Sequence, residues 1–104
     1  MVVIGRYPIY LEVAKALKAR AFDIPIHIWS NWTKDEQWKA NEDFLAEAIS
    51  AGETIILATP PEKVPLGGFL EKELNYLARR GYLPRWINGR WECRKCDWVW
   101  ILIS

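Results

Sequence analysis

A chain of 104 residues, 51% hydrophobic and 26% charged, can build one modest core and is neither disordered nor long enough for two domains. No apolar run is long enough to cross a bilayer, and the opening Met1-Val2-Val3-Ile4-Gly5-Arg6 lacks the parts of a signal peptide, so a soluble chain with no membrane association is expected. The formal net charge of +1 hides an asymmetry: residues 79–104 carry six Lys/Arg against Glu92 and Asp97, and the rest of the chain is net acidic.

Val2-Val3-Ile4, closed by Gly5, reads as a short buried strand. Pro8 suits the first turn of a helix, and Tyr10, Val13, Ala14, Leu17 and Ala21 follow at helical spacing. A second strand is predicted over 22–29, with Ile24, Ile26 and Ile28 on one face and Pro25, His27 and Trp29 on the other. Pro25 places it at an edge or marks an irregular start. Thr33-x-x-Glu36 is a capping box opening a helix over 34–51, and Gly52 supplies its stop. Residues 54–58, Thr-Ile-Ile-Leu-Ala, form the clearest buried strand, ended by Thr59-Pro60-Pro61. A third helix is predicted over 69–80 with Gly81 beyond it, then a strand over 82–87. Asn88-Gly89 signals a type I′ hairpin returning through 90–94, and 98–103 reads as one more strand.

Alternation of strand and helix predicts a small Rossmann-like β-α-β-α-β-α-β parallel sheet. Residues 1–104 are expected to form one α/β domain: a frame over 1–88 and a C-terminal β-hairpin extension over 89–104. Cys93 and Cys96 in that extension make a single Cys-x-x-Cys, and with His27 distant no zinc site closes within one chain. Packing is the first expectation for them, with a disulfide or an inter-chain metal as alternatives. No cofactor is expected.

In open α/β sheets the ligand crevice lies beyond the carboxyl ends of the strands. Residues delivered there include Arg6, suited to phosphate or carboxylate, Thr59, and Gly67-Gly68 ahead of a helix N-terminus. Glu73 falls on or beside the apolar stripe of Phe69, Leu70, Leu74 and Leu77, where a carboxylate is costly unless used or paired. It is either functional or a buried partner of an arginine. Asn41 falls on the stripe of Trp38, Leu45 and Ala48, as a hydrogen-bond partner of a loop or of a sugar hydroxyl. His27 is expected to be a packed strand residue. Nucleophile-elbow and phosphate-loop motifs are missing, and the strand ends carry almost none of the carboxylates a metal-dependent nuclease needs.

Asn41-Glu42-Asp43-Phe44-Leu45, Leu57-Ala58-Thr59-Pro60, and Phe69-Leu70-Glu71-Lys72-Glu73-Leu74 with Tyr76-Leu77 and Gly81-Tyr82 carry a resemblance. Over about residues 2–88 the chain resembles a toxin-like domain at the C-terminal tips of bacterial polymorphic toxins, of the RHS-repeat and filamentous-haemagglutinin kinds. The resemblance implies an effector that acts in the cytoplasm, is delivered from a secreted parent chain and has a cognate immunity protein. The tail from Trp91 onward has no counterpart in it. Gly68 followed by Glu73 is also similar, with one extra residue between them, to nucleoside deoxyribosyltransferase-like domains. That similarity implies that Glu73 attacks or stabilises the sugar carbon as an N-glycosidic bond breaks.

Three functions compete. The first is a toxin-like enzyme cleaving a nucleotide, a nucleoside or an NAD-like cofactor, with catalytic Glu73, with Asn41 and Arg6 holding sugar and phosphate, and with Thr59, Gly67 and Gly68 at the pocket. A metal-independent nuclease is the second, gripping nucleic acid through Arg85, Arg90, Arg94 and the tryptophans Trp86, Trp91, Trp98 and Trp100. Third comes a non-catalytic immunity or regulatory module, favoured if Glu73 and Asn41 are paired and buried with no cavity beside them.

Overall fold

A computed structural model of the chain describes residues 1–95. Cys96, Trp98, Trp100 and the strand expected over 98–103 lie outside the described residues. The elements are β1 (Val2–Ile4), α1 (Ile9–Leu17), β2 (Arg20–Ala21), α2 (Ile26–Trp29), α3 (Lys34–Ser50), β3 (Ile55–Leu57), α4 (Phe69–Arg79), β4 (Tyr82–Ile87) and β5 (Arg90–Lys95).

The fold is mixed α/β. Its five-stranded sheet runs β2-β1-β3-β5-β4, with β2, β1 and β3 parallel. The expectation of a parallel sheet carrying a hairpin extension is corrected here. Asn88 and Gly89, at φ 56° and 77°, make the tight turn, but the returning β5 inserts between β3 and β4 and is antiparallel to both. The second arm of the hairpin is therefore an internal strand of the sheet.

Apolar alternation along the strands divides the core between the two faces. Val2, Ile4, Ile55, Leu57 and Cys93 meet Leu45 and Ala48 of α3 and Leu70, Tyr76 and Leu77 of α4. On the opposite face Val3 and Ile56 meet Ala14 of α1. Since α1 covers one face and α3 the other, the chain reverses its winding at β1, and the switch point lies between β1 and β3.

The strand expected over 22–29 does not form. The strand beside β1 is only Arg20–Ala21, and Ile26–Trp29 is a single helical turn begun by Pro25. Proline has no N–H for a ladder but costs nothing at a helix start, and three isoleucines in alternation did not outweigh that. Ile26 and His27 are consequently exposed. The helix over 34–51 is realised as α3, with both reciprocal bonds of the capping box in place: Glu36 N–H to Thr33 Oγ1 at 3.2 Å and Thr33 N–H to Glu36 Oε1 at 2.9 Å.

Candidate active site at the switch point

Beyond the carboxyl end of β1 the chain turns through Gly5, where a side chain would be tightly crowded. A Cβ at this position would lie 3.0 Å from Ala58 Cβ and 3.1 Å from Tyr10 Cβ. That close approach lets the Arg6 backbone N–H donate to Thr59 Oγ1 at 3.0 Å, tying the loop after β1 to the loop after β3. The Tyr10 hydroxyl donates to the Phe22 carbonyl at 2.6 Å and pins the segment leaving β2. Burial, with the negative charges of Glu73 and Asp23 adding to it, pushes that hydroxyl up to about 12.

A wall of rings closes the other side. Trp29 of α2 meets Phe69 of α4 edge-on at 5.8 Å, and Phe69 stacks on Trp38 of α3 at 6.3 Å and 16°. Gln37 Nε2 donates to the Trp29 carbonyl at 2.9 Å, holding α2 against α3. Such ring pairs add about 0.5–1.5 kcal/mol each beyond the area they bury. They fix the position of α2, which at one turn in length has almost no helical stability of its own.

Between these walls lies a cavity of about 580 Å³. Asn41 and Glu73, both buried, reach it from α3 and α4, and Asn41 Nδ2 donates to Glu73 Oε1 at 3.2 Å. The pair is a carboxylate with an amide, where the sequence suggested an arginine if Glu73 were structural. Burial pushes the Glu73 carboxyl up to about 7, and the Asn41 hydrogen bond pulls in the opposite direction. At neutral pH the group is present in both protonation states, the range in which a carboxyl can serve as nucleophile, base or acid.

Four of the six expected site residues, Arg6, Asn41, Gly68 and Glu73, line this cavity. Thr59 is buried outside the lining and acts through the Arg6 backbone. Gly67 is also outside; it sits at φ 79° and its N–H donates to Glu71 Oε1 at 3.2 Å. The lining further includes Tyr7, Tyr10, Phe22, Asp23, Trp29 and Phe69. Asp23 is hidden from sequence reasoning because alternation over 22–29 predicts a strand; with β2 ending at Ala21, it is a carboxylate just beyond a strand end. A boundary set by Pro25 was the signal that could have found it.

The basic C-terminal arm is arranged differently from what nucleic-acid binding asks. Glu92, buried at the centre of β5, accepts from Arg90 Nε at 2.9 Å and lies 2.9 Å from Arg94 Nη2. The Arg90 hydrogen bond foremost, together with Arg94, holds this carboxyl below its ordinary range. The Arg90 and Arg94 guanidiniums, both considered for a phosphate backbone, are thus engaged within the sheet. Trp86 is exposed and packs edge-on against Trp91 at 5.5 Å. Cys93 is a free thiol buried in the core among residues of α3 and α4, and burial, with the Glu73 charge adding to it, pushes it up to about 12. Among the described residues no group of three or more His, Cys, Asp or Glu could hold a metal, and no helix is long and apolar enough to cross a membrane. His27 is exposed and outside the cavity, not a packed strand residue.

Together these features define an open α/β protein with a switch-point cavity containing a buried carboxylate. No family model, curated protein or solved structure matches the chain.

Proposed function

We propose that the cavity is a glycoside-cleaving site acting on the N-glycosidic bond of a nucleoside or nucleotide. The observation that carries this is the Glu73–Asn41 pair, a buried carboxylate with its own amide donor in the wall of an aromatic cavity at the carboxyl ends of parallel strands. The base packs among the ring side chains with the anomeric carbon toward Glu73. Ionised Glu73 attacks that carbon as the C–N bond breaks and its electron pair leaves with the base. Water then hydrolyses the glycosyl ester, freeing the sugar and restoring the carboxylate. Asn41 orients the attacking group, and Arg6 at the mouth meets a phosphate if the substrate has one. An effector role in the cytoplasm of a target cell, delivery from a secreted parent and neutralisation by an immunity protein rest on the resemblance of residues 2–88 alone.

The competing functions are less well supported. A nuclease gripping its substrate through the C-terminal arginines would first have to break the Arg90–Glu92–Arg94 cluster. A purely binding module gains from the Glu73–Asn41 pairing but leaves the cavity beside it unexplained.

The test is release of free base from a panel of nucleosides and nucleotides by purified wild type and Glu73→Gln, with growth of bacteria expressing each chain followed in parallel. Wild type should release base on the order of 10⁴-fold faster than the variant, and kcat/KM should rise with pH through about 7 as Glu73 ionises. Equal rates in the two proteins, or no release from any compound, would remove the proposal.

A further inference from the structure

The cavity holds more acid than base. Among its described lining residues the carboxyl groups of exposed Asp23 and buried Glu73 are set against one side-chain cation, Arg6, which is also exposed. Five aromatic side chains (Tyr7, Tyr10, Phe22, Trp29 and Phe69) complete the walls. Carboxylates among aromatic rings are surroundings that hold an organic cation: the ring quadrupoles attract it and the carboxylates neutralise it.

The same lining is poor in groups able to protonate a departing base. His27, the chain's one histidine, lies outside it. The Tyr10 hydroxyl donates its proton to the Phe22 carbonyl at 2.6 Å, the lining's other hydroxyl, Tyr7, is 74% exposed, and Glu73 is taken up as the nucleophile. A neutral purine or pyrimidine leaves as an anion unless it is protonated. A ring that already bears positive charge at its glycosidic nitrogen leaves as a neutral molecule and needs no acid.

Building on the glycoside-cleaving site above, we propose that the substrate is a nucleoside with a cationic, pyridinium-type base, held between the aromatic walls and Asp23 with its anomeric carbon at Glu73. In the reaction a Glu73 oxygen bonds to the anomeric carbon while the C–N bond breaks. The bonding pair passes to the ring nitrogen, cancelling its charge, and the neutral pyridine departs. Water then adds to the glycosyl ester, yielding the free sugar, the Glu73 carboxylate and one proton released to solvent. The substrate's positive charge and the carboxylate's negative charge both disappear in the first step, so an aromatic cavity favours it over separation of new charge.

Nicotinamide riboside, its uncharged dihydro form, inosine and uridine make a probe set that separates charge from shape. Wild type is expected to cleave nicotinamide riboside with kcat/KM at least about tenfold above inosine and uridine, and calorimetry should show it binding about tenfold tighter than the dihydro form. Asp23→Asn, at an exposed position, should weaken nicotinamide riboside severalfold and leave the dihydro form unchanged. Cleavage of inosine or uridine as fast as the cationic probe, or equal effects of Asp23→Asn on both riboside forms, overturns the cationic preference alone. No cleavage of any probe, with Glu73→Gln indistinguishable from wild type, overturns the glycoside site and this inference together.

Discussion

Replacing Glu73 by glutamine should make the protein more stable at alkaline pH and leave it nearly unchanged in acid. The side chain is 8% exposed, and its carboxyl titrates at about 7 against an ordinary 4.5. Below pH 4.5 the folded and unfolded chains both carry the proton, and the group contributes no difference. Between 4.5 and 7 the unfolded chain has lost the proton while the folded one keeps it. The folded state binds more protons there, so stability falls as pH rises, and the fall is complete above about 7. The gap corresponds to roughly 3 kcal/mol. Glutamine keeps the shape and the oxygen that accepts from Asn41 but has no proton to lose, so it escapes this penalty. Urea unfolding of both proteins from pH 4.5 to 8.5 at fixed salt gives the difference directly, with every other titrating group cancelling. The advantage of glutamine should grow by roughly 3 kcal/mol across that range. A difference flat to within about 0.5 kcal/mol would mean that Glu73 is already hydrated in the folded state, and the reasoning about its burial would fail.

Two further outcomes concern the frame around the site. Gly5→Ala places a methyl 3.0 Å from Ala58 Cβ and 3.1 Å from Tyr10 Cβ, neither of which can rotate aside, so thermal unfolding should show a loss of about 1–3 kcal/mol. In a Cys96→Ser chain the remaining thiol, Cys93, should react with a thiol reagent about a hundredfold or more slowly in buffer compared with strong denaturant; equal rates would place it at the surface.

Much of the frame was legible because single residues state it locally. Thr33 and Glu36 announce the start of α3, Gly52 its end, and Asn88-Gly89 the hairpin, each through short-range chemistry that distant packing does not override. Glu73 and Asn41 stood out for a related reason: a polar residue on an apolar stripe is a local anomaly whose cost needs no tertiary knowledge. Their mutual bond did not stand out, since it depends on how α3 crosses α4. Residues 22–29 misled because alternating isoleucines suit a strand, whereas Pro25 and the docking of Trp29 on Phe69 decide in favour of a turn of helix. The place of β5 was hidden by its composition. Arg90, Glu92 and Arg94 look like a solvated face, and Glu92 is buried in an internal strand with its charge met by the two partly exposed arginines.

The insertion of β5 also sets an order of events during synthesis. Strands β1, β2 and β3 and helices α1 and α3 can assemble while the chain is still being made, but until β5 arrives β3 presents a bare hydrogen-bonding edge and Cys93 is missing from the core against Ile55. An emerging chain that stopped at the Asn88-Gly89 turn would hold β4 one place away from the sheet it belongs to. Among the described strands β5 is made after the others and is the one that joins the two parts of the sheet, and until it emerges the nascent chain remains open to pairing with other chains.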